Sequence, residues 1–104
     1  MSRKRIGFMK FMNVQIEQLK SANRFGTAKN YQKCLKSIST FLKGRDVTVS
    51  AVNNELIWQY NTYLINKGLV KNSISFYMRI LRTVYNQAVK QKLVTQSHPF
   101  ADVY

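Results

Sequence analysis

The chain has 104 residues, a length that allows one domain and not two. Seventeen Lys and Arg against four Asp and Glu give a formal net charge of +13, and the 45% hydrophobic content is sufficient for a core. Such an excess of positive charge favours polyanionic partners, nucleic acid first and anionic membrane second. A single cysteine excludes an internal disulfide, and no apolar run is long enough to cross a membrane, so we expect a cytoplasmic protein.

Four apolar-periodic segments predict an all-α domain that occupies residues 1–104 as a compact four-helix bundle. The predicted helices cover about residues 8–23, 27–43, 53–67 and 71–92. Gly26, Gly44 and Gly68 each follow a helical pattern, where a left-handed residue commonly ends a helix. Thr27 is the expected N-cap of the second helix. The segment 47–49 is locally strand-like, but it lacks a partner strand.

The second predicted helix carries a one-sided positive charge. Its apolar positions share one sector, and four lysines fall nearly opposite: Lys29, Lys33, Lys36 and Lys43. Like charges at these spacings repel, which costs helix stability unless an anion lies alongside. This pattern therefore favours an anionic ligand over a merely solvated surface.

The fourth predicted helix repeats the arrangement with a mixture of polar groups. Its polar stripe consists of Asn72, Ser75, Arg79, Arg82, Asn86 and Lys90. Arg can pair with guanine and Asn with adenine, whereas Ser and Lys can hold phosphates. The free backbone N–H groups at the helix start, near residues 71–73, also favour a phosphate. Together the two stripes predict nucleic-acid binding.

Groups that could perform catalysis or bind a metal are scarce. The four carboxylates are dispersed, His98 is the single histidine and Cys34 the single thiol. A zinc site, a catalytic triad or a Cys-His dyad has almost nothing to be built from, so we expect no catalysis and no cofactor in this chain. We expect Cys34 to be a small buried apolar group and His98 a loop residue.

Trp58 and Ile65 lie seven residues apart on the third predicted helix and face away from its apolar side. A loop or tail that covers this second side is the favoured interpretation. The alternative is an apolar patch for another domain or subunit, in which case the chain is a helical protein–protein interaction module with a solubilising lysine surface. A membrane-surface module is a weaker alternative, because the apolar stripes are needed for the core.

The order of several short motifs resembles the core-binding, SAM-like N-terminal domain of tyrosine recombinases, the phage-integrase family. The motifs are Thr27-Ala28-x-x-Tyr31, Tyr63-Leu64 before Gly68-Leu69, Asn72-Ser73-Ile74-x-x-Tyr77-x-x-x-Leu81-Arg82, Tyr85-Asn86-x-Ala88 and His98-Pro99-Phe100. They extend over nearly the whole chain and look most like the integrases of Bacteroides-type mobile elements. Ser73 stands where the family usually has Thr, and His98 where it usually has Asn.

This resemblance implies an orthogonal SAM-like bundle, and it implies that DNA binding and catalysis belong to different domains of the parent chain. The domain would bind double-stranded DNA as one half of a clamp, while a catalytic domain, expected after residue 104 in the parent chain, would exchange strands. Other recombinase protomers would join in a synaptic complex on bacterial DNA. Arg79 is the expected base reader, and phosphate contacts are expected from most of the remaining candidates. The candidate DNA-binding residues are Thr27, Lys29, Lys33, Lys36, Lys71, Asn72, Ser73, Ser75, Arg79 and Arg82.

Overall fold

A computed structural model describes residues 6–101 and confirms the all-α prediction. Its helices are α1 (Phe8–Ser21), α2 (Phe25–Phe41), α3 (Asn54–Asn66) and α4 (Lys71–Lys90), with a short 3-10 helix at Val49–Ala51 between α2 and α3. Within these residues no β-strand forms, and Gly7 and Thr48 make one isolated bridge. No helix in this part of the chain is both long enough and apolar enough to span a bilayer.

The turn between α1 and α2 differs from the prediction. Asn23, and not Gly26, adopts the left-handed conformation after α1, with φ of 62°. The helix therefore ends at Ser21, and Gly26 lies in the first turn of α2. The prediction of Thr27 as N-cap was wrong, because α2 begins two residues earlier, after Arg24. Asn adopts this backbone conformation more readily than most other non-glycine residues, which the sequence interpretation overlooked.

The end of α2 also comes earlier than predicted. Lys43 and Gly44 have φ of 57° and 77°, so both belong to the turn that follows the helix. The predicted stripe of four lysines consequently has three members on α2, and Lys43 is not one of them. Lys92, with φ of 62°, similarly lies beyond the end of α4 at Lys90.

The core is formed by the apolar faces of all four helices. It contains no buried charged residue among those described. Cys34 is fully buried, as predicted, and its Sγ–H donates to the Tyr77 carbonyl oxygen at 3.6 Å, where α2 packs on α4. The largest fully buried side chains are Tyr60, Tyr85, Phe8, Met12, Ile16, Ile38, Ile57, Leu64, Met78, Leu81, Val49 and Val52.

The loop after α2 closes the N-terminal end of α1. The Asp46 carboxylate accepts hydrogen bonds from the backbone N–H groups of Met9 at 2.8 Å and Lys10 at 3.1 Å. The Phe8 N–H donates to the Val47 carbonyl at 2.6 Å. A Cβ atom on Gly7 would overlap the Asp46 carboxylate, so this approach requires glycine. The strand-like segment 47–49 thus pairs briefly with the chain before α1.

The segment after α4 folds back onto the bundle. Phe100 is buried with its ring 6.2 Å from that of Tyr85, and the Asn54 Nδ2 donates to the Pro99 carbonyl at 3.0 Å. The Tyr85 hydroxyl accepts from the Ser97 backbone N–H at 3.1 Å. These contacts fix residues 97–100 against α3 and α4.

Candidate nucleic-acid interface

None of the described carboxylates belongs to α2 or α4. Glu17 on α1 pairs with Lys20 at 3.5 Å, and Asp46 caps α1. Glu55 lies in the first turn of α3 and accepts from Gln59 at 3.5 Å. Neither α2 nor α4 contains an acidic residue, so the exposed cations of both helices lack a neutralising partner on their own helix.

The N-termini of α1 and α3 are capped by side chains, whereas those of α2 and α4 are not. Asp46 satisfies the first turn of α1, and the Asn53 side chain accepts from the Leu56 N–H at 2.8 Å at the start of α3. No side chain caps α2 or α4, and neither has an acid in its first turn. Their free N–H groups and the positive end of the helix dipole favour an external anion.

The candidate lysines of α2 are all exposed on the side opposite the core. Lys29, Lys33 and Lys36 lie within about 60° of one another at about 100° per residue. Thr27 lies about 120° or more from each of these lysines, and it is half-buried. The structure therefore groups the three lysines and separates Thr27 from them.

A groove brings two of these lysines next to residues that the sequence interpretation missed. Lys33 and Lys36 line a groove of about 240 Å³ together with Lys67, at the C-terminal end of α3, and Tyr77 of α4. Lys67 and Tyr77 are distant from α2 in sequence, and only the packing of α2 on α4 reveals that they are neighbours.

The candidates on α4 form a second group. Lys71, Asn72, Arg79 and Arg82 are exposed, and Ser75 on the same side is half-buried. Ser73 lies about 100° from Asn72 and further from the others, on the flank that approaches the core. The structure thus gathers five of the six α4 candidates on one face.

The two groups lie on different sides of α4. Tyr77, which lines the α2 groove, and Arg79 are separated by about 160° around the helix axis. Arg79 therefore projects away from the groove that contains Lys33 and Lys36. The candidate residues form two basic surfaces and not one.

The polar stripe of α4 is partly covered near its C-terminal end. Arg82 and Asn86 line a cleft of about 220 Å³ with the segment 96–101. The Gln96 Nε2 donates to the Asn86 Oδ1 at 3.3 Å. This segment therefore competes with any external ligand for the end of the stripe, and the N-terminal half of α4 is the more accessible part.

Two apolar side chains of α3, Trp58 and Ile65, are exposed in the described part of the chain. Trp58 is 42% exposed and Ile65 is 55% exposed, so the expectation of a loop or tail over them was wrong for residues 6–101. Ile65 also lines a groove of about 410 Å³ with Lys71, Ile74 and other residues of α3 and α4.

Two buried groups, Cys34 and Tyr60, have pKa values shifted towards their neutral forms. Burial raises the pKa of the Cys34 thiol to about 12, and burial is also the main cause that raises the pKa of Tyr60. The Tyr60 hydroxyl lies 2.7 Å from the Ser37 Oγ. In the described part of the chain, no group of three or more His, Cys, Asp or Glu side chains could hold a metal ion.

The sequence of this four-helix domain, with its two carboxylate-free basic helices, was compared with those of known protein families. The sequence matches the family described as the phage integrase SAM-like domain over residues 7–103. The chain belongs to this family, which confirms the resemblance seen in its motifs and supports a role in site-specific recombination. The domain is the SAM-like N-terminal part of integrases and not their catalytic domain. No curated protein and no solved structure matches the chain significantly.

Proposed function

We propose that this domain binds double-stranded DNA as the core-binding half of a site-specific tyrosine recombinase. In this proposal it holds the duplex while the C-terminal catalytic domain of the same parent chain exchanges strands in the bacterial cytoplasm. Further recombinase protomers are its partners in a synaptic complex. The domain itself contributes binding and positioning, and no chemical step.

The observation that carries this proposal is the distribution of charge over the four helices. The helices with bare N-termini and no acid are α2 and α4, whereas α1 and α3 have capped ends and carry or contact the described carboxylates. Basic helices of this kind attract a polyanion through their ammonium groups and their free backbone N–H groups.

We assign different tasks to the two basic surfaces. On the α2 side, Lys29, Lys33 and Lys36 contact phosphates. On the exposed face of α4, Arg79 reads a base edge, because a guanidinium can donate two hydrogen bonds to guanine in the major groove. The other proposed contacts, mostly to phosphates, are Thr27, Lys71, Asn72, Ser73, Ser75 and Arg82, with Thr27 and Ser73 at the margins.

The first experiment is a fluorescence anisotropy titration of a duplex of about 30 base pairs between about 50 and about 300 mM salt. Each phosphate contact that is removed flattens the log–log salt dependence by about 0.9. We expect the double variant Lys33→Ala/Lys36→Ala to bind more weakly and to lower the slope by about two. The control Lys10→Ala/Lys20→Ala removes the same charge from α1 and should retain the slope. Absence of wild-type binding at low salt, or equal losses in both variants, would contradict the proposal.

The second arm of this experiment uses duplexes selected by the domain from a random pool. Arg79→Ala should reduce the preference for selected over random duplex about tenfold or more, which corresponds to one lost base contact. An equal loss of affinity for both kinds of duplex would show that Arg79 contacts only phosphates.

The exposure of Trp58 and Ile65 favours a second candidate function, which is contact with another protein domain. Apolar contact is much less sensitive to salt than phosphate binding. If the domain fails to bind duplex but binds the catalytic domain of its parent at about 500 mM salt, and Ile65→Asn abolishes that binding, the interaction module is the correct interpretation.

A further inference from the structure

The groove between α2 and the α3–α4 turn combines positive charge with an apolar floor. Three ammonium groups border it, from Lys33, Lys36 and Lys67. The half-buried Leu69 contributes apolar surface above the buried Leu64, and the half-buried Tyr77 of α4 lines the groove as well. None of the three lysines has a carboxylate partner within residues 6–101, although the Lys67 Nζ lies over the Tyr63 ring at 5.4 Å from its centroid.

The hydroxyl groups of the residues that line this groove differ in whether they already make a hydrogen bond within the protein. The Ser37 hydroxyl is paired with Tyr60 at 2.7 Å, and the Thr40 hydroxyl donates to the Lys36 carbonyl at 3.0 Å. The Tyr77 hydroxyl makes no hydrogen bond to any described residue. It is therefore the groove hydroxyl whose proton is available to an external acceptor.

We propose that this groove binds the sugar–phosphate backbone of duplex DNA, and that Lys67 and the Tyr77 hydroxyl contact the backbone together with Lys33 and Lys36. This inference rests on the proposed function and extends the DNA interface to the end of α3. A nucleotide unit of the backbone has anionic oxygens and a less polar sugar face, which match the ammonium groups and the apolar surface of Leu69 in the groove. The Cys34 Sγ–H donates a weak hydrogen bond to the Tyr77 carbonyl oxygen at 3.6 Å, which links this wall of the groove to α2.

Two substitutions separate the charged contribution from the neutral one. Lys67→Ala removes an ammonium group at an exposed helix end, so we expect about fivefold weaker binding and a salt slope reduced by about one. Tyr77→Phe keeps the ring and removes only the hydroxyl. We expect about threefold weaker binding with an unchanged salt slope, because a neutral donor releases no counterion.

The control is Lys10→Ala, which removes one positive charge from α1 outside the groove. We expect its affinity to stay within about twofold of the wild type and its slope to be unchanged. Circular dichroism melting curves establish that each variant is folded, and Lys67→Gln provides a second neutral side chain that retains most of the aliphatic stem.

The outcomes distinguish this inference from the function on which it rests. If the wild type binds duplex and the Lys33→Ala/Lys36→Ala variant is weakened, but the Lys67 and Tyr77 variants bind normally, the groove assignment is wrong and the proposed function stands. If the wild type does not bind, both fail. A competition experiment with free deoxyadenosine monophosphate tests whether the groove binds a duplex backbone or a single nucleotide. If low millimolar nucleotide displaces the duplex, the groove is a mononucleotide site and the assignment is wrong.

Discussion

Replacement of Tyr85 by Phe should loosen the segment that follows α4. The Tyr85 hydroxyl accepts from the Ser97 backbone N–H at 3.1 Å, and it lies 3.3 Å from the Thr95 carbonyl, to which it donates. Ser97 and Thr95 are both exposed, so water can replace part of what is lost. Each bond then contributes about 0.5–1.5 kcal/mol, and the variant should lose about 1–2 kcal/mol of unfolding free energy. For a domain of this size that loss lowers Tm by roughly 5–15 °C.

The assay combines thermal unfolding with hydrogen exchange of the Ser97 amide. Because the Ser97 N–H loses its acceptor, its exchange should accelerate even under conditions where α1 and α2 stay protected. Tyr31→Phe is the matched control, since the half-buried Tyr31 hydroxyl makes no hydrogen bond among the described residues. We expect the control to change stability by less than about 0.5 kcal/mol. If Tyr85→Phe costs no more than the control and leaves Ser97 exchange unchanged, the hydroxyl does not anchor this segment.

Two further predictions concern the stability of the fold. Gly26→Ala should stabilise the domain by about 0.5 kcal/mol in urea unfolding, because Gly26 is helical with open space around it. Gly44→Ala should destabilise the domain by about 1 kcal/mol, because Gly44 has a φ of 77°. Since burial raises the pKa of the Cys34 thiol to about 12, the folded state retains a proton that the unfolded chain releases above about pH 9. The free energy of unfolding should therefore fall as pH rises from about 9 to 12. The Cys34→Ala variant lacks this thiol, so its free energy of unfolding should fall less steeply in the lower part of that pH range.

The helices were predictable because their signal is local, whereas the arrangement of the site was not. The spacing of Tyr31, Ile38 and their neighbours sets the period of α2 without reference to any other segment. By contrast, Asp46 caps α1 from 37 positions away along the chain, and no pattern in the sequence indicates that pairing. The errors at helix ends came from treating Gly as the sole left-handed residue, a role that Asn23 and Lys43 also fill.

The candidate site shows the same division between local and non-local information. The exposure of Lys33, Lys36 and Arg79 follows from the apolar period of their own helices. That Lys67 and Tyr77 complete a groove with the α2 lysines depends on how three helices pack, which amphipathic patterns do not specify. Helical periodicity also could not show that Arg79 and the α2 lysines belong to different surfaces, since it gives no angle between helices.

The scarcity of carboxylates gives ionic strength opposite effects on folding and on ligand binding. With a net charge of +13 and four carboxylates, of which Glu17 pairs with Lys20, cations repel one another across a small surface. Added salt screens this repulsion and so stabilises the folded domain, while the same salt weakens its attraction to a polyanion. A bound duplex would supply the counter-charge that the chain itself lacks, and it would raise the melting temperature by mass action most strongly in dilute buffer, where the free domain is least stable.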